Sequence, residues 1–270
     1  MKLIICLVCA LFLAGVTALF GIRHSSSVRA EATDPMQPIR PVVVELFTSE
    51  GCSSCPPADA LLAKLDQEQR LENAEIIALE EHVDYWNDLG WRDPFSSSQW
   101  TQRQQDYAAS FRSEGVYTPQ MIVDGRAEFV GSSQSKARSA IVEASRVEKA
   151  TVVLSNLQGT GSTVHLKIDV KMLPEPASSG AQIWLAATES GLHSNVQRGE
   201  NAGEDLHHAA VMRSLRKIGE AHPAENAAYS SEQDINIDQS WKRENLRLVV
   251  FVQDRKSRHI LGAASIHLAQ

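Results

Sequence analysis

Residues 42–57, Val-Val-Val-Glu-Leu-Phe-Thr-Ser-Glu-Gly-Cys-Ser-Ser-Cys-Pro-Pro, constrain this chain more than any other stretch. A β-branched apolar run reads as a strand. A short polar loop then carries two cysteines spaced C-x-x-C, and Ala58, Leu61, Leu62 and Leu65 follow at helical spacing. Pro56 and Pro57 suit the first helical turn, where a missing N–H has no partner to lose. Cys52 is thereby set at or just before a helix N-terminus, where the dipole and free backbone N–H groups favour the thiolate. Cys6 and Cys9 lie in an N-terminal apolar run, so its removal would leave only Cys52 and Cys55. One pair at this spacing points to dedicated redox or metal chemistry rather than a stapled scaffold; a purely structural disulfide is the plainer alternative.

The segment before the strand sets the compartment. Lys2 precedes an apolar run to Ile22, and Val28-Arg29-Ala30 offers small or apolar side chains at a cleavage site. Residues 1–30 therefore read as a secretory signal peptide, with an uncleaved anchor as the alternative. Residues 31–41, with three prolines, read as a linker. The chain beyond faces an oxidising compartment: the periplasm or the outside of a bacterium. The net charge is −7, and residues 1–30 contribute only cations, so the exported part is more acidic still. That argues against a nucleic-acid partner, and against a membrane partner beyond the signal segment.

Residues 75–79 form a second strand, completing a βαβ unit whose crossover makes the two strands parallel. It runs into His82, Asp84, Tyr85, Trp86, Trp91, Asp93 and Phe95. Open α/β sheets place functional groups on loops at strand carboxyl ends. His82, Asp84, Tyr85 and Trp86 are thus candidates for a substrate-binding wall beside Cys52, or else the aromatics simply anchor a long loop. Glu45 interrupts the first strand. It is either solvated at the strand end or a buried acid beneath the cysteines, with a raised pKa that suits a base. Ser96–Ser98 cap a helix with Trp100, Gln104, Tyr107, Ala108 and Phe111 on one face, which Gly115 stops. Thr118-Pro119 precedes an apolar strand, Asp124-Gly125 signals a hairpin into 126–130, and a helix opens after Gly131-Ser132-Ser133.

From residue 150 the pattern changes to strands: 151–157, 164–170 with strict alternation, 183–188, 211–218, 246–253 and 260–267. Residues 150–270 read as a β-rich accessory domain, a small sandwich of six or seven strands, or as strands packed directly on the first domain. Residues 189–208 read as a long loop. Its His193, Glu200, Glu204, Asp205, His207 and His208 fit no standard metal spacing, so a surface loop is the better reading.

The stretch from Val44 to Asp59, with His82–Trp86 and Tyr117-Thr118-Pro119-Gln120, resembles the DUF1223 family of secreted, thioredoxin-like bacterial proteins. The resemblance implies an α/β, thioredoxin-like fold over 42–149, in the order β-α-β-α-β-β-α. It implies a cis Pro119 packed against the cysteines, with Thr118 and Pro119 orienting substrate, and a proton-shuttling role for Glu45. The activity expected first is a thiol–disulfide oxidoreductase acting on protein or small-molecule disulfides or thiols. Cys52, at the exposed mouth of its loop, attacks and Cys55 resolves. No cofactor or metal is assigned in this reading. The alternatives are a copper or zinc site on Cys52, Cys55 and His82, and a non-catalytic binding module in which the disulfide only holds the loop.

Overall fold

The computed structural model describes residues 38–159, 161–174, 180–221 and 229–268. The expected signal segment 1–30, and the linker up to residue 37, lie outside the described residues. The first strand begins at Arg40, inside the expected linker.

The α/β half runs β1 (Arg40–Thr48), α1 (Pro56–Glu68), β2 (Arg70–Leu71), β3 (Ala74–His82), α2 (Ser98–Phe111), β4 (Gln120–Val123), β5 (Ala127–Val130) and α3 (Gln134–Ser145). β1 pairs parallel with β3 and antiparallel with β4, which pairs antiparallel with β5. β1 is buried along its length because helices cover both faces. Val42, Val44 and Leu46 pack with α1 and α3, whereas Val43 and Phe47 pack on the side of α2. Ser97 caps α2, accepting from the Gln99 N–H. The helix ends at Phe111, where Arg112 turns left-handed (φ 58°), not at Gly115. At the hairpin, Asp124 and Gly125 both have positive φ, and a Cβ on Gly125 would stand 2.1 Å from the Arg258 carbonyl oxygen.

The second half continues as β6 (Thr151–Gln158), β7 (Thr163–Lys171), β8 (Ala181–Glu189), β9 (Leu192–Asn195), β10 (Asp205–His208), β11 (Val211–Ala221), β12 (Tyr229–Asn236), β13 (Leu246–Asp254) and β14 (Ile260–His267). These strands do not build the separate accessory domain expected from residue 150. β8, β11, β13 and β14 extend the first sheet, in the order β14-β13-β8-β11-β3-β1-β4-β5, with β2 beside β3. The join is short: β11 meets β3 in parallel at Val211 and Glu80. From β1 onward the described residues accordingly form one unit. β6, β7 and β12 make a three-stranded layer whose Val164, Leu166, Ile168 and Val170 pack on Ile183, Leu185, Leu248 and Val250. The alternate residues Ala186, Val249 and Phe251 face Trp100 of α2. Residues expected as one loop, 189–208, instead hold the β9–β10 ribbon. Among the described residues no helix is long and apolar enough to cross a membrane.

Candidate functional site

β1 and β3 are parallel and finish in register at Thr48 and His82. The loops that follow them therefore leave the same edge of the sheet. In the first loop Cys52 and Cys55 form a disulfide, with Cα atoms 5.5 Å apart. The Cys52 N–H bonds to the Ser49 carbonyl and the Cys55 N–H to that of Cys52. Cys55 is the N-cap of α1, its carbonyl accepting from Ala58 and Asp59. Pro56 and Pro57 fill the first two helical positions, so the helix offers Cys52 its dipole without free N–H donors there.

Cys52 does not lie at an exposed mouth. Both cysteines are wholly buried, while Ser53 and Ser54 between them are exposed. The segment between β9 and β10 is bonded to this loop. The Asn201 amide donates to the carbonyls of Glu50 (2.8 Å) and Cys52 (3.1 Å). The Glu200 carboxylate accepts from the Ser53 N–H and hydroxyl. Trp86 closes another side: a Cβ on Gly51 would stand 3.1 Å from the Trp86 Cβ.

Trp86 Nε1 donates to Thr118 Oγ1 at 2.9 Å, and the Thr118–Pro119 bond is cis. Gly131 lets this corner approach α1. Its N–H bonds to the Pro119 carbonyl, and a Cβ there would meet Leu46 Cδ1 at 2.6 Å, Ala58 at 3.1 Å and Pro119 at 3.3 Å. The fold thus gathers Cys52, Cys55, Trp86, Thr118 and Pro119. Tyr85 stands 39% exposed, its hydroxyl donating to Gln104. Asp84 accepts from the Thr101 hydroxyl at 2.6 Å and ties the loop to α2.

His82 belongs to a buried network beneath the loop. Its Nδ1 lies 2.7 Å from Asp93 and its Nε2 3.4 Å from Glu80. Burial opposes charge on this imidazole, but Asp93 and Glu80 together outweigh it and raise the pKa well above the usual value. His208, expected in a surface loop, is buried between Glu80 (2.8 Å) and Glu50 (3.1 Å). Burial works against its charge too, and Glu80 and Glu50 still raise it to about 9. Glu50 also accepts from Trp91 Nε1 at 2.7 Å, and its N–H donates to Asp93 at 2.8 Å. Alongside, Asp59 accepts from the Thr48 hydroxyl at 2.6 Å, and burial and Glu80 push its carboxyl up to about 7.

Glu45 is buried, but not beneath the cysteines. Residues of a strand alternate between faces, and Glu45 shares the side of Val43 and Phe47, away from α1. Its carboxylate is held there by Arg103 and the Tyr107 hydroxyl of α2. The buried acids on the face of α1 include Asp59 and Glu80.

Sequence reasoning missed Asp59, Glu50, Glu80 and Asn201 as site residues, and weighed Glu200 only as a metal ligand before setting it aside with its loop. Asp59 carried a signal: it is four residues beyond Cys55, hence on the same helix face. Asn201 carried none, because only the β9–β10 ribbon brings it to the loop of the disulfide.

No curated protein matches the sequence. Among solved structures, protein AGR_C_4864 from Agrobacterium tumefaciens superposes with a TM-score of 0.64 at 24% identity, covering 85% of this chain and 95% of that one. HBP35 of Porphyromonas gingivalis superposes with a TM-score of 0.62 at 16% identity, covering 86% of this chain and 76% of that one. At these identities the likeness establishes the fold alone. The family described as "Protein of unknown function (DUF1223)" matches residues 43–253, and the chain belongs to that family.

Proposed function

We propose that the protein is an exported, thioredoxin-like thiol–disulfide oxidoreductase that uses Cys52 and Cys55 on protein or small-molecule disulfides or thiols. One observation carries this reading: the only cysteine pair beyond the N-terminal apolar run sits, as a disulfide, where β1 meets α1. The element order and the neighbours β3-β1-β4-β5 support the thioredoxin-like part. Export rests on the apolar, lysine-led start of the chain.

In the reducing direction the Cys52 thiolate attacks one sulfur of a substrate disulfide. That bond breaks and the first substrate sulfur leaves as thiolate. Cys55 loses its proton and attacks Cys52 Sγ, and the second substrate sulfur leaves. The substrate gains two electrons and two protons, and the Cys52–Cys55 pair is oxidised. An external dithiol returns it to the reduced state. In this reading Asp59, one turn beyond Cys55 and titrating at about 7, takes the Cys55 proton. Access requires the segment carrying Glu200 and Asn201 to lift. Tyr85 and Leu89, 39% and 60% exposed, then offer apolar contact for a substrate beside the opening.

The test is a pair of variants assayed for thiol–disulfide exchange. Cys52→Ser abolishes turnover, and Cys55→Ser accumulates a mixed disulfide with substrate. Unchanged function in Cys52→Ser would instead support the binding-module reading, which the complete burial of both cysteines favours.

A further inference from the structure

Two histidines under the disulfide loop are arranged as ligands. Their inward nitrogens, His82 Nε2 and His208 Nδ1, converge on Glu80 Oε1 at 3.4 and 2.8 Å. One donor atom from each of Glu80, His82 and His208 lies within 4.8 Å of the others. Their outward nitrogens are each held by a different carboxylate. Asp93 lies 2.7 Å from His82 Nδ1 and Glu50 3.1 Å from His208 Nε2. A carboxylate on the far nitrogen fixes tautomer and ring plane and raises basicity, as it does for metal-bound imidazoles generally. His82 Nε2 is moreover fully buried and, apart from the Glu80 oxygen 3.4 Å away, makes no hydrogen bond. The rings stand edge to face with centroids 4.7 Å apart, and half-buried Phe95 lies against both.

We propose that Glu80, His82 and His208 bind one divalent transition-metal ion of the zinc class, with Asp93 and Glu50 as the carboxylates that orient the imidazoles. Ligand bonds of roughly 2.0–2.2 Å place neighbouring donors of a tetrahedral ion a little over 3 Å apart, so the three atoms need only a small adjustment to converge. Two imidazole nitrogens and one carboxylate oxygen suit zinc or iron(II), whereas copper(I) prefers sulfur. This site contains no cysteine and is separate from a metal held by Cys52 and Cys55. The ion would clamp His208, at the end of β10, to β3, and through Glu50 it would brace the loop that carries the disulfide. The proposal stands whether or not the disulfide is catalytic.

The experiment is titration of Zn(II) alone into chelator-treated protein, followed by calorimetry and by thermal unfolding. The expected result is one equivalent bound with micromolar or tighter affinity and a higher Tm. His208→Gln should weaken binding at least 100-fold. Asp93→Asn, which keeps the side-chain shape, should weaken it by about 10- to 100-fold and decides the matter if His208→Gln does not fold. The double variants Cys52→Ser/Cys55→Ser and His193→Ala/His207→Ala should bind as the parent does, the latter because those two surface imidazoles stack beside Asp205 and can hold zinc weakly. The proposal is overturned if the folded parent binds no zinc, if Asp93→Asn binds as tightly as the parent, or if either double variant abolishes binding.

Discussion

The side-chain amide of Asn201 donates to the carbonyl oxygen of Cys52 at 3.1 Å, across 149 positions of sequence. The same amide holds the carbonyl of Glu50 at 2.8 Å. The loop that carries the disulfide is therefore fastened by a segment from the second half of the chain, and both cysteines beneath it are buried.

Asn201→Ala removes both bonds and leaves the Glu50 carbonyl without this donor. The expected cost is about 1–3 kcal/mol, read by urea unfolding. The rate of disulfide reduction by dithiothreitol under native conditions should rise at least severalfold. An unchanged rate at lowered stability would mean that the segment is no barrier.

Arg103 sits against Glu45 within hydrogen-bond reach and lies 3.4 Å from Glu81, all three buried. Arg103→Met strands the Glu45 charge in the core and should cost about 3–5 kcal/mol. Glu45→Gln should lower stability while leaving the reduction potential of the cysteine pair unchanged, because the side chain lies on the face of the sheet away from α1. A shifted potential in Glu45→Gln would restore the proton-shuttle role to that residue.

Asp59 gives the pH dependence. Its carboxyl titrates at about 7 in the fold, against 3.8 for an ordinary aspartate. Between those values the folded chain holds a proton that the unfolded chain has released, so stability falls as pH rises through that window. Asp59→Asn should remove this component. In chelator, the variant-minus-parent difference in unfolding free energy should grow from pH 4 to pH 7. Each pH step of one across that window adds about 1.4 kcal/mol, a few kcal/mol in all. A flat difference would place the Asp59 carboxyl in the ordinary range.

Gly131→Ala drives a methyl to within 2.6 Å of Leu46 Cδ1, a fully buried side chain, and 3.3 Å of Pro119. Overpacking of this kind costs about 1–3 kcal/mol. Because the strain falls between Pro119 and the first turn of α1, exchange activity should drop more than stability alone explains, as measured by kcat/KM at a temperature where the variant is fully folded.

The sequence makes the α/β half legible because its signals are local. The apolar run 42–47, the paired prolines and the Asp124-Gly125 turn each state their own structure. The joining of the halves is not legible, since β11 touches β3 through one register pair, Val211 with Glu80, which no periodicity announces. β12 escapes notice because Tyr229–Asn236 is mostly polar and pairs with β7 alone. At the site, the cysteines and Thr118-Pro119 stand out as motifs. The buried carboxylates do not, because Glu80 and Glu81 look like a solvated pair. Strand alternation instead buries them on opposite faces, Glu80 with His208 and Glu81 beside Arg103.

Whether Cys52 and Cys55 form a working redox couple is read from their reduction potential. The chelator-treated protein is equilibrated in glutathione or dithiothreitol buffers and the thiols are counted. The expected value lies between roughly −120 and −270 mV, the span of catalytic dithiols. A value well below about −300 mV marks a structural disulfide, and would contradict a redox role.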